Sequence, residues 1–348
     1  MFRVRAVQVE HGDSLLITYG INNRMYHLLV DGGPSGSLPI LLSVLKQECV
    51  GGRLRLETLV VTHYDLDHIQ GVIDLLNDLP PWLDIGDIWF NGYHHLPSLD
   101  ILGASEGDTL SRLIRRHGIP WNASFRKQGN DKDGGAIVQD ANAVSLPGGL
   151  EVRILSPDMD GLIALARNWS NAGSPPLDSE LAPGDLLGRS DIWPPKEFSS
   201  SRTYSFQSDT SISNKSSIAL LLTFDNKRAL LAADAFSDVI TRGLAIHLPR
   251  KDPIDLLKVS HHGSKGNTDK LLLETIGCKR FLISTSGKIH KHPDHALIER
   301  LVAGYDCPEI FFNYEDGWPG NWKNRPEKWP PYNARYPGSG DKFVDVFI

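Results

Sequence analysis

The sequence predicts an α/β fold. Apolar runs of strand character alternate with stretches of helical spacing, and each half of the chain runs strands first and then helix. Several strands also stop on residues that bind metal or phosphate. LETLVVT (56–62) delivers His63, and ALLAAD (229–234) ends on Asp234. DLLKVS (255–260) leads into His261 and His262, and RFLIST (280–285) runs toward Lys288, His290 and His292. In open α/β sheets, sites collect beyond strand ends, so these endings point to one shared site.

FRVRAVQV, SLLITYG and MYHLLVD read as strands, separated by turns at Gly12–Asp13 and at Gly20 to Asn23. GSLPILLSVLKQECV has helical spacing. LETLVVT is a buried strand, IQGVIDLLNDLP a helix, and IGDIWFNG one strand ending near His94 and His95. SEGDTLSRLIRRHG is a helix, and NAVSLPGGLEVRILSP is a hairpin-like pair. Residues 168–213 are rich in Ser, Pro, Gly and Asp with little periodicity, which predicts an irregular insertion or lid. SSIALLLTFD and KRALLAAD form a hairpin about Asn226. TDKLLLETIG and HALIERLVAG are helices, and KFVDVFI closes the chain as a strand.

The composition bounds the function. Of 348 residues, 41% are hydrophobic and 22% charged, as in a soluble globular protein. A net charge of −6 argues against a general nucleic-acid binder but leaves room for an enzyme whose positive charge comes from metals. The three cysteines, Cys49, Cys278 and Cys307, form no CxxC pair, which fits a reducing compartment. The longest apolar runs are about half the roughly 20 residues of a membrane span. The expectation is a cytoplasmic protein with no membrane partner. No phosphate-binding GxxxxGK[ST] loop is present, so ATP is not implied.

The densest stretch is LVVTHYDLDHIQG (59–71). Beyond the strand, His63, Asp65 and Asp67 alternate and so face one way, and His68 follows as the chain enters a helix. Carboxylate and imidazole are both ligands for first-row metals, and two close ions can share such a set. The alternative is a polar loop with Asp67 capping the helix.

Together these segments resemble the metallo-β-lactamase fold hydrolases. The similarity is closest to the soluble domain of the competence protein ComEC and its stand-alone relatives. It rests on LLVDGG (28–33), His63-x-Asp65-x-Asp67-His68, NKSSIALLL (214–222), ALLAAD, KVSHHGS (258–264) and His292–Pro293. The resemblance implies a four-layer αββα sandwich, in a domain read here as 1–316; the insertion at 168–213 and the tail after 305 lie outside the resemblance, and 317–348 is read as an extension packed on the same domain. The resemblance implies two divalent ions, zinc or manganese, held by His63, Asp65, Asp67, His68, Asp234 and His261. Asp31 would support the metal loop, and His11 and Asp13 the site floor. His262 would face substrate or hydrogen-bond a carboxylate. His292 and Lys288 would contact the scissile phosphate or protonate the leaving group, and Asn214 and Ser264 would lie on the substrate side. His94 and His95 are the nearby candidates for a further ligand or substrate contact, ahead of His117.

The activity so implied is phosphodiester hydrolysis with nucleic acid as substrate; no protein partner is identified. A small-molecule phosphodiesterase and a non-catalytic metal-binding scaffold are the alternatives. The stretch 317–342 interleaves aromatics with Lys323, Arg325, Lys328, Arg335 and Lys342. Such a mixture either stacks bases along a phosphate backbone or wraps the core.

Overall fold

The computed structural model describes residues 1–97, 109–126, 133–172, 191–199, 206–248 and 252–348. The first half runs β1 (Phe2–Val7), β2 (Leu15–Ile21), β3 (Arg24–Val30), α1 (Leu38–Gln47), β4 (Leu54–Leu56), β5 (Thr58–Val60), α2 (Leu66–Asn77), β6 (Leu83–Ile85), β7 (Ile88–Trp89) and α3 (Thr109–His117). The second runs β8 (Ala143–Ser145), β9 (Glu151–Ser156), α4 (Met159–Ala172), α5 (Ile212–Lys215), β10 (Ala219–Phe224), β11 (Lys227–Leu231), α6 (Ser237–His247) and β12 (Leu256–Lys258). It continues through α7 (Lys270–Ile276), β13 (Arg280–Ile283), α8 (His295–Ala303), β14 (Glu309–Phe312), α9 (Gly317–Gly320), β15 (Asn333–Arg335) and β16 (Phe343–Phe347).

Side-chain alternation decides the layering. Leu220, Leu222 and Phe224 of β10 share a core with Phe2, Val4, Ile17 and Val60 of the first sheet. Ala219 and Leu221 turn the other way, onto Ile240, Leu244, Leu272 and Leu297 of α6, α7 and α8. On the far side, Leu16, Leu29 and Leu59 pack under Leu41, Val72, Leu75 and Leu113 of α1, α2 and α3. Two sheets therefore face each other with helices outside both, the expected four-layer αββα sandwich. The first sheet has the order β16-β1-β2-β3-β5-β7, and the second runs from β15 down to β8. No helix among the described residues is long and apolar enough to cross a membrane.

Three segments differ from the sequence expectation. LETLVVT is not one strand: β4 pairs with β6 in a separate two-stranded sheet, while β5 joins β3 and β7. IGDIWFNG is likewise divided at Gly86–Asp87, because the Asp87 carboxylate collects Trp89 Nε1 and the N–H groups of Ala123 and Ser124. The start of the insertion is helical, since Leu162, Leu165 and Trp169 give α4 a buried face. Residues 173–190 and 200–205 of that insertion, and 105–108 of the expected helix before Thr109, lie outside the described residues.

The C-terminal stretch is a wrap. Trp322 and Trp329 are buried in the outer core of the second sheet, and Tyr332 donates to the Trp322 carbonyl at 2.9 Å. Three of its five cations are engaged within the chain: Lys323 with Glu315, Lys328 with Glu197 at 2.5 Å, and Arg335 with Glu309 at 3.2 Å. That pairing argues against a track for a phosphate backbone here. β16 then pairs antiparallel with β1, and Asp345 takes Arg5 through both oxygens at 2.7 and 2.9 Å. Trp322→Ala is expected to cost about 3–5 kcal/mol through the cavity it opens, which chemical denaturation would measure.

Candidate metal centre

Each strand end supplies a different part of the site. β3 ends on Asp31, held at φ 60°. Its carboxylate accepts the Thr62 N–H at 2.8 Å and the Thr62 hydroxyl at 2.7 Å, and lies 2.8 Å from His68 Nδ1. The outer nitrogen of His68 is thereby used, and its Nε2 points inward. His63 is turned in the same sense, with Nδ1 3.0 Å from Thr62 Oγ1 and 3.3 Å from Ser217 Oγ. His262 Nδ1 lies 3.0 Å from the Ser284 carbonyl, to which it donates. A bond at the outer nitrogen that fixes the tautomer is how proteins orient metal-binding imidazoles.

The inward atoms meet carboxylates. Asp234 Oδ2 lies 3.5 Å from Nε2 of His68, 3.7 Å from that of His262 and 3.8 Å from that of His261. Asp67 Oδ2 is 3.1 Å from His262 Nε2 and 3.7 Å from His68 Nε2. Asp65 Oδ2 is 3.4 Å from His63 Nε2. Two ligands at about 2.1 Å from one ion lie about 3.0–3.4 Å apart at ordinary coordination angles, close to these separations. The buried Nε2 atoms of His63, His68 and His262 and Oδ1 of Asp234 have no hydrogen-bond partner. Buried polar atoms in folded proteins are usually paired, so three orphaned imidazole nitrogens that face carboxylates fit a cation site. Asp13, His68, Asp234 and His262 offer ligand atoms within 4.8 Å of one another.

Helix capping was the alternative for this loop. The structure puts Asp65, not Asp67, at the start of α2, and its side chain makes no cap bond. It accepts instead from Ser213 Oγ at 2.5 Å. The helix forgoes an N-cap, worth typically about 1 kcal/mol, and the carboxylate serves the site.

Charge and burial oppose each other here. Burial alone would raise Asp67, but His68 and His262 together hold it well below the usual carboxylate range. The same holds for Asp234, through His68 and then His262. Burial would lower His262, but Asp234 and Asp13 raise it to about 9, and His68 is likewise raised, by Asp234 and Asp67. The metal-free centre thus holds protons where a metal needs neutral imidazole.

The two neighbouring histidines are arranged opposite to the expectation. His262 is the inner one, 3% exposed, with Nε2 against Asp67. The His261 side chain is 14% exposed and lies nearer the rim. Its Nδ1 is 3.1 Å from Asn267 Oδ1 and 3.4 Å from Asp209. His292 is buried beside it, with ring centroids 5.8 Å apart. Asn214 donates to Asp209 at 2.7 Å and lies 3.4 Å from His261 Nδ1.

Other expected members lie elsewhere. Lys288 is on the surface and pairs with Glu10 at 2.7 Å, so its charge is already engaged. Ser264 has no exposed surface, and its hydroxyl accepts the Gly266 N–H, so it holds the turn. His95 packs edge-on against Trp121 beside Asn122, and burial lowers it to about 3. His94 contacts the same Trp121 and lies 3.3 Å from Asp133. Both belong to the outer layer around Trp121, where a ring-stacking surface was available. His117 bonds the Leu76 carbonyl.

Sequence reasoning missed Asp209, Ser213, Ser217, Asn267 and Lys258. Asp209 and Ser213 sat inside the Ser-rich insertion, where nothing marks one polar residue from the next. Lys258 had a signal: a lysine inside the apolar run DLLKVS.

No family model matches the sequence, and no curated protein matches it. Several solved structures are similar. One is the CmlA beta-hydroxylase E377D mutant, at 11% identity and a TM-score of 0.42. That match covers 99% of this chain, which spans 54% of the CmlA chain. The metallo-beta-lactamase fold protein YhfI from Bacillus subtilis is similar at 13% identity and a TM-score of 0.43, covering 90% of this chain and 96% of that one. The short form of human tRNase Z is similar at 11% identity and a TM-score of 0.38, covering 82% and 92%.

Two outcomes are expected. His262, raised to about 9, stabilises the metal-free fold fully below its ordinary value near 6.5, and that contribution is lost as pH rises through about 9. Metal must displace its proton, so apparent affinity should climb between pH 6.5 and 9, with proton release visible in buffer-dependent calorimetry. Ala233 carries φ 47° just before Asp234. Ala233→Gly should therefore stabilise the protein by up to about 1 kcal/mol, read as a raised melting temperature.

Proposed function

We propose that this chain is a dinuclear metal-dependent hydrolase of the metallo-β-lactamase type that cleaves phosphodiesters, with nucleic acid as the leading substrate. One observation carries the reading: three imidazoles, each with its outer nitrogen occupied, aim buried and unsatisfied Nε2 atoms at the carboxylates of Asp65, Asp67 and Asp234. His63, Asp65, Asp67, His68, Asp234 and His262 would hold the ions, with Asp234 central. The oxygen-rich set suits manganese as well as zinc. Such ions supply Lewis acidity toward phosphoryl oxygens and a nucleophilic water at neutral pH.

The chain's own residues do the rest. Asp31, Thr62 and Ser217 lock the orientation of His68 and His63. Asp209 and Asn267 hold His261 at the rim. His292, next to it, is placed to give a proton to the departing oxygen. Residues 317–348 act as part of the same unit, because β16 completes the first sheet.

A cleavage time course with end-labelled DNA and RNA and with a small phosphodiester, in manganese or zinc, tests this. Asp67→Ala should lower turnover at least about a hundredfold, and His292→Ala should lower kcat more than it raises KM. One observation favours the small-substrate reading: three of the five cations of the aromatic wrap, Lys323, Lys328 and Arg335, are paired within the chain. Cleavage of the small ester alone would select that reading. Loss of neither activity in Asp67→Ala would sink both.

A further inference from the structure

We propose that Lys258 and Asp13 form a positioning pair that sets the geometry of the metal centre from below. The inference rests on the metal-centre reading. Lys258 is fully buried at the end of β12 in the second sheet, and Asp13 is buried in the turn between β1 and β2 of the first. Their ion pair therefore ties the two sheets together at the edge of the cluster, where Asp13 lies with His68, Asp234 and His262.

The pair touches three parts of the site. Asp13 Oδ1 lies 3.5 Å from His262 Nδ1, and the Asp13 N–H donates to the Asp67 carbonyl at 3.2 Å. Lys258 Nζ donates to the Ala233 carbonyl at 3.4 Å, next to Asp234, and that carbonyl also accepts the His261 N–H at 2.9 Å. The turn can come this close because residue 12 is glycine: a Cβ there would stand 1.9 Å from the Asp67 carbonyl oxygen.

A strut alone does not need charge. Replacing a buried ion pair by apolar residues of similar volume is often neutral or stabilising, so stability gives no reason for a lysine here. Position gives one. The ammonium is a fixed cation beside a surplus of carboxylates, and it holds Asp13 against His262. His261 and His262 both adopt left-handed backbone angles, φ 48° and 52°, and a side chain kept in such a turn needs outside support.

The test compares wild type with Lys258→Met/Asp13→Leu, which removes both charges together. Near-UV circular dichroism reports the fold, calorimetry the zinc and manganese affinities, and cobalt absorption the ligand geometry. The expected result is a folded double variant whose affinity for at least one ion falls about 10–100-fold, with an altered cobalt spectrum. If it unfolds, Asp13→Asn replaces it and must show the same loss. Affinities within twofold of wild type and an unchanged spectrum in a folded variant overturn the inference, as does unfolding of both variants, which would leave a purely structural strut. Wild type that binds no divalent metal overturns the metal-centre reading, and the inference with it.

Discussion

Carboxylates do not stay buried without compensation, and that constraint organises this molecule. Asp13, Asp31, Asp65, Asp67, Asp209 and Asp234 gather at one end of the sandwich, and three of the six, Asp13, Asp31 and Asp234, are fully or almost fully buried. Ion burial carries a penalty of several kcal/mol each even after relaxation. Each carboxylate has its own answer. Asp31 takes two bonds from Thr62 and one from His68, Asp209 takes two asparagine amides, and Asp13 takes Lys258. Asp67 and Asp234 are left facing the imidazoles of His68 and His262, whose buried Nε2 atoms have no hydrogen-bond partner, an arrangement that a cation completes.

The backbone meets the same constraint with strain. Asp31, Ala233, His261 and His262 all carry positive φ without being glycine. Left-handed angles cost an L-residue roughly 1–2 kcal/mol. Strands that end in such turns stop abruptly and throw their next side chain back over the strand end. Two sheets packed face to face bring those turns together from both sides: β3 and the loop before α2 from the first, β11 and β12 from the second. The shared apolar core between the sheets supplies the rigidity that keeps the strained ends in place.

This explains what could be read in advance. The ligand-bearing strand ends were legible because an apolar run that stops on His or Asp is a local signal, and the order of motifs carried the layering. The division of IGDIWFNG was not legible, because Asp87 bends the chain through bonds to Ala123 and Ser124, more than 30 residues on in sequence. The choice between His261 and His262 was not legible either. Alternation from a strand end favours the first histidine, but the left-handed turn rotates the second one inward. His94 and His95 failed for a different reason. A paired histidine after a strand looks like a ligand until a partner such as Trp121 is known.

The charge balance bears on how the site would treat its substrate. The surrounding carboxylates outnumber Lys258, and Lys288 and three cations of the wrap, Lys323, Lys328 and Arg335, are already paired. A phosphodiester approaching the metal-free centre meets net negative charge in a poorly solvated place, where screening is weak. Two divalent ions would bring the cluster close to neutral and reverse that repulsion locally, without making the whole chain basic. The −6 overall charge and a phosphate ester as substrate are therefore compatible, because attraction is confined to the point where the bond would break. On the proposed function, binding would then be coupled to metal loading, and discrimination among phosphodiesters would fall to the rim around His261, His292 and Asn214.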